Sequence, residues 1–372
     1  MLPLVVDFFA DADTLRMAAA CVKLAGDIRR GFTWKGLAPA LEKLAGDAPS
    51  PPLGLVYGAG FEDRVRLLAR IGTHVTLLGN DASAVRRVKA PQSFFGRLGE
   101  LGIPHPRTVV SAAPPGKGWL AKKRGGAGGS HVRSALRGGC EKTHSGPEKT
   151  VTEAQEGQET GMYFQEIVPG RPVAALFVGN GSEARVLGLS EQWAAPRRGA
   201  RWRYGGAVQP ADLSPELERR LTAYAEAAAR AFGLKGLGSA DFLVDGEEAR
   251  LLEINPRPGA TLDIFDCEAQ PLLHLHIRAV LEGMLPMAPL PLGEATAAAI
   301  VYAPVPVEVA PGMAWPDWTS DQPKSGERID KDRPICTVLA RAASGREAKR
   351  LVKERTEMIL TACAKNKDGG SQ

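Results

Sequence analysis

The chain has 372 residues, 44% of them hydrophobic, which predicts two or three globular domains and excludes a chain that is disordered throughout. The net charge of +5 is spread over 47 basic and 42 acidic residues, so it indicates anionic partners only weakly, and nucleotides satisfy it as well as nucleic acid does. The cysteines lie far apart without paired spacing, which argues against a disulfide framework and a zinc site: Cys21, Cys140, Cys267, Cys336 and Cys363.

The N-terminal sequence gives no indication of export or of membrane insertion. Its apolar run is interrupted by Asp7 and has no cationic start, so we expect no signal peptide. No apolar run elsewhere approaches the length of about 18 residues that a membrane span needs. Together with the cysteine usage, this predicts a cytoplasmic protein without a membrane partner.

The first part of the chain alternates strand and helix patterns. The segment "PLVVDFFADADTLRMAAACVKLAG" predicts a short buried strand, an acidic turn and a helix. The segment "LGLVYGAGFEDRVRLLARIG" repeats that plan, and "THVTLLGN" adds a further strand. Strands that alternate with helices predict a parallel, layered sheet.

The middle of the chain predicts a helix from about Pro91 to Leu101 that ends at Gly102, and then the strand "GWLAKK" with a glycine-rich loop behind it. Residues 138–161 are polar and predict a surface loop. The segment after them alternates apolar positions around the turn "VGNGS", which predicts an antiparallel hairpin, and Ser214 caps an amphipathic helix.

The last third predicts two further pairs of strands. The strands "GSADFLVDG" and "EARLLEINPRPG" are expected to pair across a turn at Asp245 and Gly246, which places Asp241 beside Glu253. From Thr296 onward, "AAAIVYAP", "PICTVLARA" and a charged helix predict a small β-rich appendage that is closed by a helix.

One strand carries three polar side chains on the same face. Glu253, Asn255 and Arg257 alternate with Leu252 and Ile254, which we expect to point into the core. With Asp241 on the paired strand, the carboxylate and amide oxygens are the ligands that Mg²⁺ prefers and predict a site for two such ions. Arg257 would bind a carboxylate or phosphate nearby. The alternative is a half-exposed edge strand that ends in a proline–glycine turn.

Two further segments suggest phosphate and base contacts. In "AKKRGGAGGSHVR", glycines let backbone amides approach phosphate oxygens and Lys122 and Lys123 neutralise charge, although the loop has no GK[ST] end and a flexible turn with solvated lysines is the alternative. In "YFQEIVPGRP", the backbone of residues 166–168 could bind an adenine edge, although the motif alone fits a core strand better.

An arginine cluster, Arg197, Arg198, Arg201 and Arg203, is interleaved with Trp202 and Tyr204. Such a cluster could contact RNA, but a single short cluster in a chain of this charge favours an anionic substrate or a solvated loop. We therefore expect no nucleic acid partner. An RNA-binding protein would show a steep dependence of affinity on salt.

In their order and spacing, these side chains make residues 85–285 resemble an ATP-grasp enzyme. The most specific part of the resemblance is "GSADFLVDG…LLEINPRPGATLDIFD". The resemblance implies an α/β plus α+β fold with four parts. Residues 1–88 would be a Rossmann-like pre-ATP-grasp domain whose first strand is missing. Residues 89–170 would be the small, lid subdomain, residues 171–290 the large subdomain with the metal site, and residues 291–372 the C-terminal appendage.

The resemblance also implies the roles of individual residues. ATP would lie between the two subdomains, and Asp241, Glu253 and Asn255 would hold two Mg²⁺ ions, which Mn²⁺ could replace. Arg257 and Lys122 would be catalytic. The residues implied in nucleotide binding are Lys89, Lys122, Gly125, Gly126, Gly128, Gly129, Ser130, Glu166, Ile167 and Val168.

The implied activity is an ATP-dependent carboxylate–amine ligase that acts through an acyl phosphate on small molecules, with a homo-oligomer left open. The branch of tyramine–glutamate ligases and of proteins linked to tetrahydromethanopterin in methylotrophs is the most similar. A nucleotide-sensing module or a kinase-like phosphotransferase is the alternative. Two positions depart from the family pattern: Ser239 stands where D-alanine ligase relatives have an arginine, and Arg171–Pro172 where many relatives have an acidic residue for the ribose.

Overall fold

The computed structural model describes residues 2–26, 28–110, 114, 116–126, 128–129, 131–135, 161–287 and 289–365. Most of the predicted polar loop, and with it Ser130 and Cys140, lies outside these residues. The helices are α1 Ala12–Met17, α2 Trp34–Asp47, α3 Val65–Gly72, α4 Ala82–Lys89, α5 Pro91–Glu100, α6 Pro215–Ala231, α7 Leu262–Phe265, α8 Leu272–Leu281 and α9 Gly345–Lys365, with a 3-10 turn at Ile28–Arg30. Within the described ranges, no helix has both the length and the apolar content that a membrane crossing requires.

The strands of the described residues form four sheets. They are β1 Leu4–Asp7, β2 Ala20–Lys23, β3 Thr108–Val109, β4 Trp119–Lys123, β5 Arg133–Ser134, β6 Met162–Glu166, β7 Arg171–Asn180, β8 Ala184–Ala194, β9 Tyr204–Gln209, β10 Lys235–Asp245, β11 Glu248–Asn255, β12 Ala295–Tyr302, β13 Val307–Glu308, β14 Thr319–Ser320, β15 Arg328–Ile329 and β16 Pro334–Ala342. The large sheet has the order β11-β10-β7-β8-β9-β12-β16-β14, and a smaller one has the order β3-β6-β4-β5.

The helix predicted after the acidic turn at the N-terminus is shorter than expected. It ends at Met17, and β2 then pairs in parallel with β1, so the prediction of helix over residues 20–23 is wrong. The alanine run favours a helix locally, but Val22 is β-branched and finds a partner strand, and tertiary pairing overrides local propensity. The backbone N–H of Ala19 already donates to the carbonyl of Pro3, which starts the pairing.

The other two strands predicted in the N-terminal region are replaced by one isolated β-bridge between the two segments. Leu55 and Leu77 form a single parallel bridge, and α3 lies between them as predicted. Prolines 51 and 52 and Gly54, at φ +154°, limit the extension of the first of these segments. The packing of this region therefore depends on side chains from β1, β2, α2, α3 and α4 around one hydrophobic cluster.

The large sheet confirms the two predicted hairpins. Strands β7 and β8 pair antiparallel across the "VGNGS" turn, and β10 and β11 pair across Gly246, which has φ +56°. Helix α6 packs on β7 and β8, and the side chain of Ser214 accepts a hydrogen bond from the backbone N–H of Leu217, as a cap should. The hairpin β10–β11 forms one edge of this sheet.

The predicted C-terminal strands and helix are present as β12, β16 and α9. Strand β12 pairs with β9 and with β16, so the predicted β-rich appendage is continuous with the large sheet. Helix α9 packs against β12 and β16 and covers their apolar side chains. The limits of the four predicted domains stay a prediction.

Candidate functional site

The hairpin β10–β11 brings the three predicted metal ligands together. Asp241 pairs with Glu253 and Ser239 with Asn255, as expected from the turn. The Asn255 amide donates to Asp241 Oδ2 over 2.9 Å and lies 3.4 Å from the hydroxyl of Ser239. Asp241 Oδ1 is buried and has no hydrogen-bond partner among the described residues. This face of the hairpin therefore presents an oxygen that still requires a partner.

A β-bulge in the β10–β11 ladder contradicts one prediction about the face of β11 opposite Glu253 and Asn255. The register shifts between Asp241 and Phe242, so that Phe242 pairs with Leu251 and Leu252 has no partner in the ladder. Leu251 and Ile254 are fully buried, but Leu252 is half-buried and lines a cavity of about 20 Å³ beside Glu253. The expectation that Leu252 points into the core is therefore wrong. The bulge leaves Glu253 facing Asp241.

Lys89, the last residue of α4, places its ammonium on the oxygens of the hairpin. Its Nζ donates to Asn255 Oδ1 over 2.9 Å and to Glu253 Oε2 over 3.3 Å, and its side chain is 7% exposed. The oxygen face, which is formed by Asp241, Glu253 and Asn255, thus already binds one buried ammonium group. Together with the unpartnered Asp241 oxygen, this donor set fits a hard divalent cation.

The pKa values of Asp241 and Glu253 are shifted in opposite directions. Burial and then the negative charge of Glu253 together raise the pKa of Asp241 to about 7, against the opposing charges of Lys89 and Arg257. Burial also works to raise the pKa of Glu253, but Lys89 and Lys122 outweigh it and keep that pKa below its ordinary value. The charges of Lys89 and Arg257 therefore compensate the Asp241 carboxylate only in part, and a bound cation would add to them.

Lys122 lies on β4 with its ammonium buried against Gln165 of β6, at 2.6 Å from the amide oxygen. Burial lowers the pKa of Lys122, and the charge of Glu253 opposes that shift. Gln165 was not singled out in the sequence. It faces Lys122 because Leu120 pairs with Gln165, and residues two apart on a strand share a face.

The glycine loop is docked against two other parts of the chain. A Cβ on Gly125 would lie 2.5 Å from the carbonyl oxygen of Glu62, and one on Gly129 would lie 1.8 Å from that of Trp202. The carbonyl of Gly128 accepts a hydrogen bond from the backbone N–H of Tyr204 over 3.2 Å. Close backbone approach thus explains the glycines, and it brings the loop to the segment that carries the arginine cluster.

Gly126, also predicted to bind phosphate, packs against a histidine: a Cβ there would lie 2.3 Å from the ring of His131. Lys123, next to Lys122, forms an ion pair with Asp63 at 2.7 Å instead of pointing freely into solvent. Ser130 lies outside the described residues. The predicted phosphate roles of the loop residues stay predictions.

Arg257 forms a buried ion pair with Glu62. Its Nε donates to Glu62 Oε1 over 2.7 Å, and the two side chains are 9% and 1% exposed. The other oxygen of Glu62 accepts from the backbone N–H of Gly60. Burial works to raise the pKa of Glu62, but Arg257 and Lys89 outweigh it and leave that pKa below its ordinary value. No local pattern in the sequence marks Glu62 as a partner of the site.

Asn80 is a second contact that the sequence did not indicate. Its amide nitrogen donates to the carbonyls of Lys235 and Pro256, each over 2.9 Å, and its oxygen accepts from the N–H of Lys235. These bonds fix the start of β10 and the end of β11. The polar face that β10 and β11 share is therefore held in place by residues from the N-terminal region.

The predicted adenine segment follows β6. The backbone N–H groups of Glu166 and Ile167 donate to the carbonyls of Arg107 and Gly118. In the described part of the chain, the N–H of Val168 has no such partner. Among these three residues, Val168 thus offers a backbone donor. The adenine role of the segment stays a prediction.

The arginine cluster separates into one structural and three exposed residues. Arg203 lies 3.6 Å from the ring centre of Tyr302 and donates to the carbonyls of Ala195 and Asp332. Arg197, Arg198 and Arg201 are exposed. Because Gly128 and Gly129 contact the same segment, the exposed arginines lie on a loop that adjoins the glycine loop.

The model of the ATP-grasp domain family matches residues 93–261. The chain is similar to a D-alanine–D-alanine ligase of Geobacter sulfurreducens, 53% identical over 55 residues that cover 14% of this chain and 17% of that protein. It is also similar to a carbamoyl phosphate synthase large chain of Deinococcus deserti, 25% identical over 57% of this chain and 21% of that protein. The matches thus span about a fifth of the length of these two relatives.

Solved structures resemble nearly the whole chain. A biotin carboxylase of Campylobacter jejuni is 17% identical with a TM-score of 0.68, over 93% of this chain and 83% of its own. The biotin carboxylase domain of a Hydrogenobacter thermophilus 2-oxoglutarate carboxylase, in complex with magnesium ADP and bicarbonate, is 14% identical with a TM-score of 0.66, over 92% and 81%. An L-amino acid ligase of Bacillus licheniformis is 13% identical with a TM-score of 0.66, over 95% and 96%. At these identities the likeness shows the fold.

Proposed function

We propose that the chain, whose residues 93–261 form an ATP-grasp domain, is an ATP- and Mg²⁺-dependent ligase that joins a carboxylate to an amine through an acyl phosphate. The observation that carries the proposal is the oxygen face of the β10–β11 hairpin. Asp241 Oδ1 is buried without a partner there, while Glu253 and Asn255 already bind the buried ammonium of Lys89. A site that only recognised a neutral ligand would not need this arrangement of charge.

Asp241, Glu253 and Asn255 are the residues that would hold Mg²⁺. Bound there, Mg²⁺ would neutralise phosphate charge and orient the phosphoryl group for transfer. The magnesium ADP bound by the structurally similar carboxylase domain from Hydrogenobacter thermophilus supports this choice of ion and nucleotide. Glu253 would keep its negative charge near neutral pH, since Lys89 and Lys122 hold its pKa low.

The protein's own side chains would position and neutralise the nucleotide. Lys89 and Lys122 are buried ammonium groups whose charges both act on Glu253, and they would bind phosphate oxygens. Gly125 of the glycine loop lines the same small cavity as Lys89 and Glu253. The N–H of Val168, which has no partner among the described residues, would bind the adenine edge. Phosphoryl transfer needs such positioning and charge neutralisation more than a covalent protein nucleophile.

The proposed reaction has two steps. A carboxylate oxygen of the first substrate attacks the γ-phosphorus, the bond to the ADP oxygen breaks, and ADP leaves with the electron pair. The amine nitrogen of the second substrate then attacks the acyl carbon, and the bond to the phosphate oxygen breaks. Phosphate leaves with the electron pair, and the proton lost by the nitrogen passes to the released phosphate or to water. Arg257, fixed by Glu62 at the end of β11, would orient the carboxylate through its remaining N–H groups.

The first substrate is proposed to be anionic beyond its reacting carboxylate. Arg197 and Arg201 are exposed on the loop that adjoins the glycine loop, and either could pair with such a charge. Glutamate or a phosphorylated pterin or furan precursor would fit. The resemblance to tyramine–glutamate ligases and to tetrahydromethanopterin-linked proteins extends this to a proposed role in cofactor biosynthesis of the methanofuran or tetrahydromethanopterin type.

The test combines ADP release with a trap for the acyl phosphate. Purified protein is incubated with ATP, Mg²⁺ and pools of carboxylates, with hydroxylamine as the amine, and both ADP and hydroxamate are measured. We expect both products from the wild type, and loss of both in Glu253→Ala. Glu248→Ala is the matched control, because this carboxylate lies on the same strand but is exposed and pairs with Arg250.

Two results would contradict a ligase. Release of ADP with a stable phosphorylated product and no hydroxamate would indicate a kinase-like phosphotransferase. Tight binding of ATP with no ADP release in any pool would indicate a nucleotide-sensing module. Equal loss of activity in Glu248→Ala would show that the effect of Glu253→Ala is not specific to the oxygen face.

A further inference from the structure

Gln165, on β6, holds the ammonium group of Lys122 through a neutral oxygen. The Nζ of Lys122 donates to the amide oxygen Oε1 of Gln165 over 2.6 Å, and the two side chains are 8% and 1% exposed. Lys122 makes no other hydrogen bond within the described parts of the chain. Because an ammonium group has three donors, two hydrogens of Lys122 remain for another acceptor.

The orientation of the Gln165 amide follows from the hydrogen bonds around it. The hydroxyl of Thr108, on β3, donates to the carbonyl of Pro106 over 3.1 Å, so the hydroxyl oxygen is left to accept. The amide nitrogen Nε2 of Gln165 lies 3.4 Å from this oxygen and donates to it. The amide nitrogen therefore faces Thr108 and the amide oxygen faces Lys122. The reversed amide would place its own donors against the ammonium group.

The acceptor of Lys122 differs in charge from the acceptors of two neighbouring lysines. The ammonium group of Lys89 pairs with the carboxylate of Glu253. That of Lys123 pairs with the carboxylate of Asp63. Lys122 forms no ion pair within the described residues and is held by an amide, which has no net charge. An amide oxygen fixes an ammonium group without cancelling its charge.

A buried ammonium group without a charged partner favours an anionic ligand. Burial is the largest influence on the pKa of Lys122 and lowers it, against the more distant charge of Glu253. The ammonium group is therefore only partly compensated, and an anion that supplies negative charge would be bound favourably. Phosphate oxygens could accept the two remaining hydrogens of Lys122. A carboxylate at position 165 would instead compete with such an anion.

We propose that Gln165 is a positioning residue, which fixes the ammonium group of Lys122 and leaves its charge available to the phosphate groups of the nucleotide. The identification of the anion as nucleotide phosphate rests on the ATP-dependent function proposed above. The neutrality of Gln165 is then as important as its hydrogen bond. Glutamate has the same length and keeps an oxygen for Lys122, but it neutralises the ammonium group.

The test is Gln165→Glu in the full chain, measured by binding without turnover. Displacement of a fluorescent ADP derivative gives the Kd of MgADP, of adenosine, which lacks phosphates, and of inorganic tripolyphosphate, which lacks the base. We expect the Kd of MgADP and of tripolyphosphate to rise at least about tenfold, since a charge-assisted contact with phosphate is lost. The Kd of adenosine should stay unchanged. The thermal midpoint of the free protein should be unchanged or higher, because the buried ammonium group gains a partner of opposite charge.

Gln322→Glu is the matched control. Gln322 is also buried, and its amide oxygen accepts from the guanidinium of Arg16 over 2.8 Å. Its amide nitrogen donates to the hydroxyl of Thr319 over 3.0 Å, and that hydroxyl donates to the carbonyl of Pro316. The control therefore places the same new carboxylate between a cation and a threonine, outside the oxygen face and the glycine loop. It should leave the Kd of MgADP unchanged.

Thr108→Val tests the orientation of the amide without adding charge. The substitution keeps the volume of the side chain and removes the oxygen to which Gln165 donates. We expect the Kd of MgADP to rise about threefold, because the amide loses the neutral hydrogen bond that keeps its oxygen toward Lys122. The Kd of adenosine should again stay unchanged. This variant decides the question if Gln165→Glu does not fold, since an unchanged Kd of MgADP in Thr108→Val would then overturn the proposal.

Three results would overturn the role of Gln165. They are an unchanged Kd of MgADP in Gln165→Glu, a loss of adenosine affinity by the same factor, and an equal loss of MgADP affinity in Gln322→Glu. A wild type that binds MgADP but forms no hydroxamate would refute the ligase function and leave the role of Gln165 intact. A wild type that does not bind MgADP would refute the nucleotide function and, with it, this role.

Discussion

Replacing Glu62 by glutamine should destabilise the protein strongly, although Glu62 is far from the predicted site in sequence. The substitution keeps the volume of the side chain and an oxygen for the N–H of Gly60. It removes the negative charge that faces Arg257 at 2.7 Å. The guanidinium is then buried without its charge partner.

The expected loss follows from the burial of the pair. The side chains of Glu62 and Arg257 are 1% and 9% exposed, so water can replace little of the missing interaction. Breaking a buried pair by removing one partner costs about 3–5 kcal/mol, a large part of a typical stability of about 5–15 kcal/mol. Removing both charges should cost far less, so Glu62→Gln with Arg257→Met should recover most of the loss.

The assay is urea unfolding followed by tryptophan fluorescence, with Asp63→Asn as the matched control. Asp63 is the next residue and also forms an ion pair, with Lys123 at 2.7 Å, but those side chains are 19% and 40% exposed. Breaking that pair should cost less than about 1 kcal/mol. Equal midpoints for Glu62→Gln and Asp63→Asn, or no recovery in the double variant, would refute the reasoning.

The effect of pH on the same variant has a defined sign. Arg257 and Lys89 outweigh burial and hold the folded-state pKa of Glu62 below the value of 4.5 expected in the unfolded chain. The stabilisation by the ionised carboxylate is therefore present in full above that value and is lost as the pH falls through the folded-state pKa. The difference in midpoint between wild type and Glu62→Gln should shrink in acid, and a difference that grew would contradict this assignment.

Two further predictions concern the glycine loop and the N-terminal acidic residues. Gly129→Ala should lower the rate of ADP release at least about tenfold, since its Cβ would lie 1.8 Å from the carbonyl oxygen of Trp202. Gly128 has φ +68° with open space around its Cβ position, so Gly128→Ala should cost only about 1 kcal/mol of backbone strain. Similar rates of ADP release for both variants would contradict this. Burial and then Asp321 raise the pKa of Asp11 from 3.8 to about 7, so ionisation destabilises the fold increasingly over that range. Above that pH range, Asp11→Asn should therefore raise the free energy of unfolding by about 1 kcal/mol, after allowance for solvent screening. At the acid end of the range it should have no effect. Thermal melts that show the same gain at both ends would count against the assignment.

Local signals in the sequence were sufficient for the hairpin that carries the oxygen face. The turn at Gly246 fixes the register of β10 and β11, and alternation along each strand then places Asp241 opposite Glu253. The bulge at Leu252 could not be anticipated, because one extra residue in a ladder leaves no trace in an alternating apolar pattern. Strand β2 was missed because its pairing with β1 outweighs the helix propensity of the preceding alanines.

Contacts between distant segments account for the residues of the site that were not predicted. Glu62 and Arg257 are separated by 195 positions, and Asn80 and Pro256 by 176. No periodicity within one segment relates such residues, because their proximity depends on how the N-terminal region packs against β10 and β11. Gln165 is different, since its partner Lys122 lies on a neighbouring strand, and correct pairing of β4 with β6 would have revealed it.

The N-terminal region and the site are expected to depend on each other for their structure. In its described residues, that region has one parallel pair of strands and one isolated bridge, so little of its order comes from a sheet of its own. It is joined to the large sheet through buried polar contacts. One of these is His276, whose Nδ1 accepts from the N–H of Leu237, so that its Nε2 carries the hydrogen and donates to the carbonyl of Leu78 over 2.8 Å.

Burial lowers the pKa of His276, which keeps the ring neutral and suits this one donor and one acceptor. His276, Asn80 and the Glu62–Arg257 pair all act at β10 or at the end of β11, next to the oxygen face. Loss of these contacts would release the N-terminal region and at the same time free the residues that hold Asp241, Glu253 and Asn255 in position. The oxygen face is thus maintained by the region that the family match over residues 93–261 does not include.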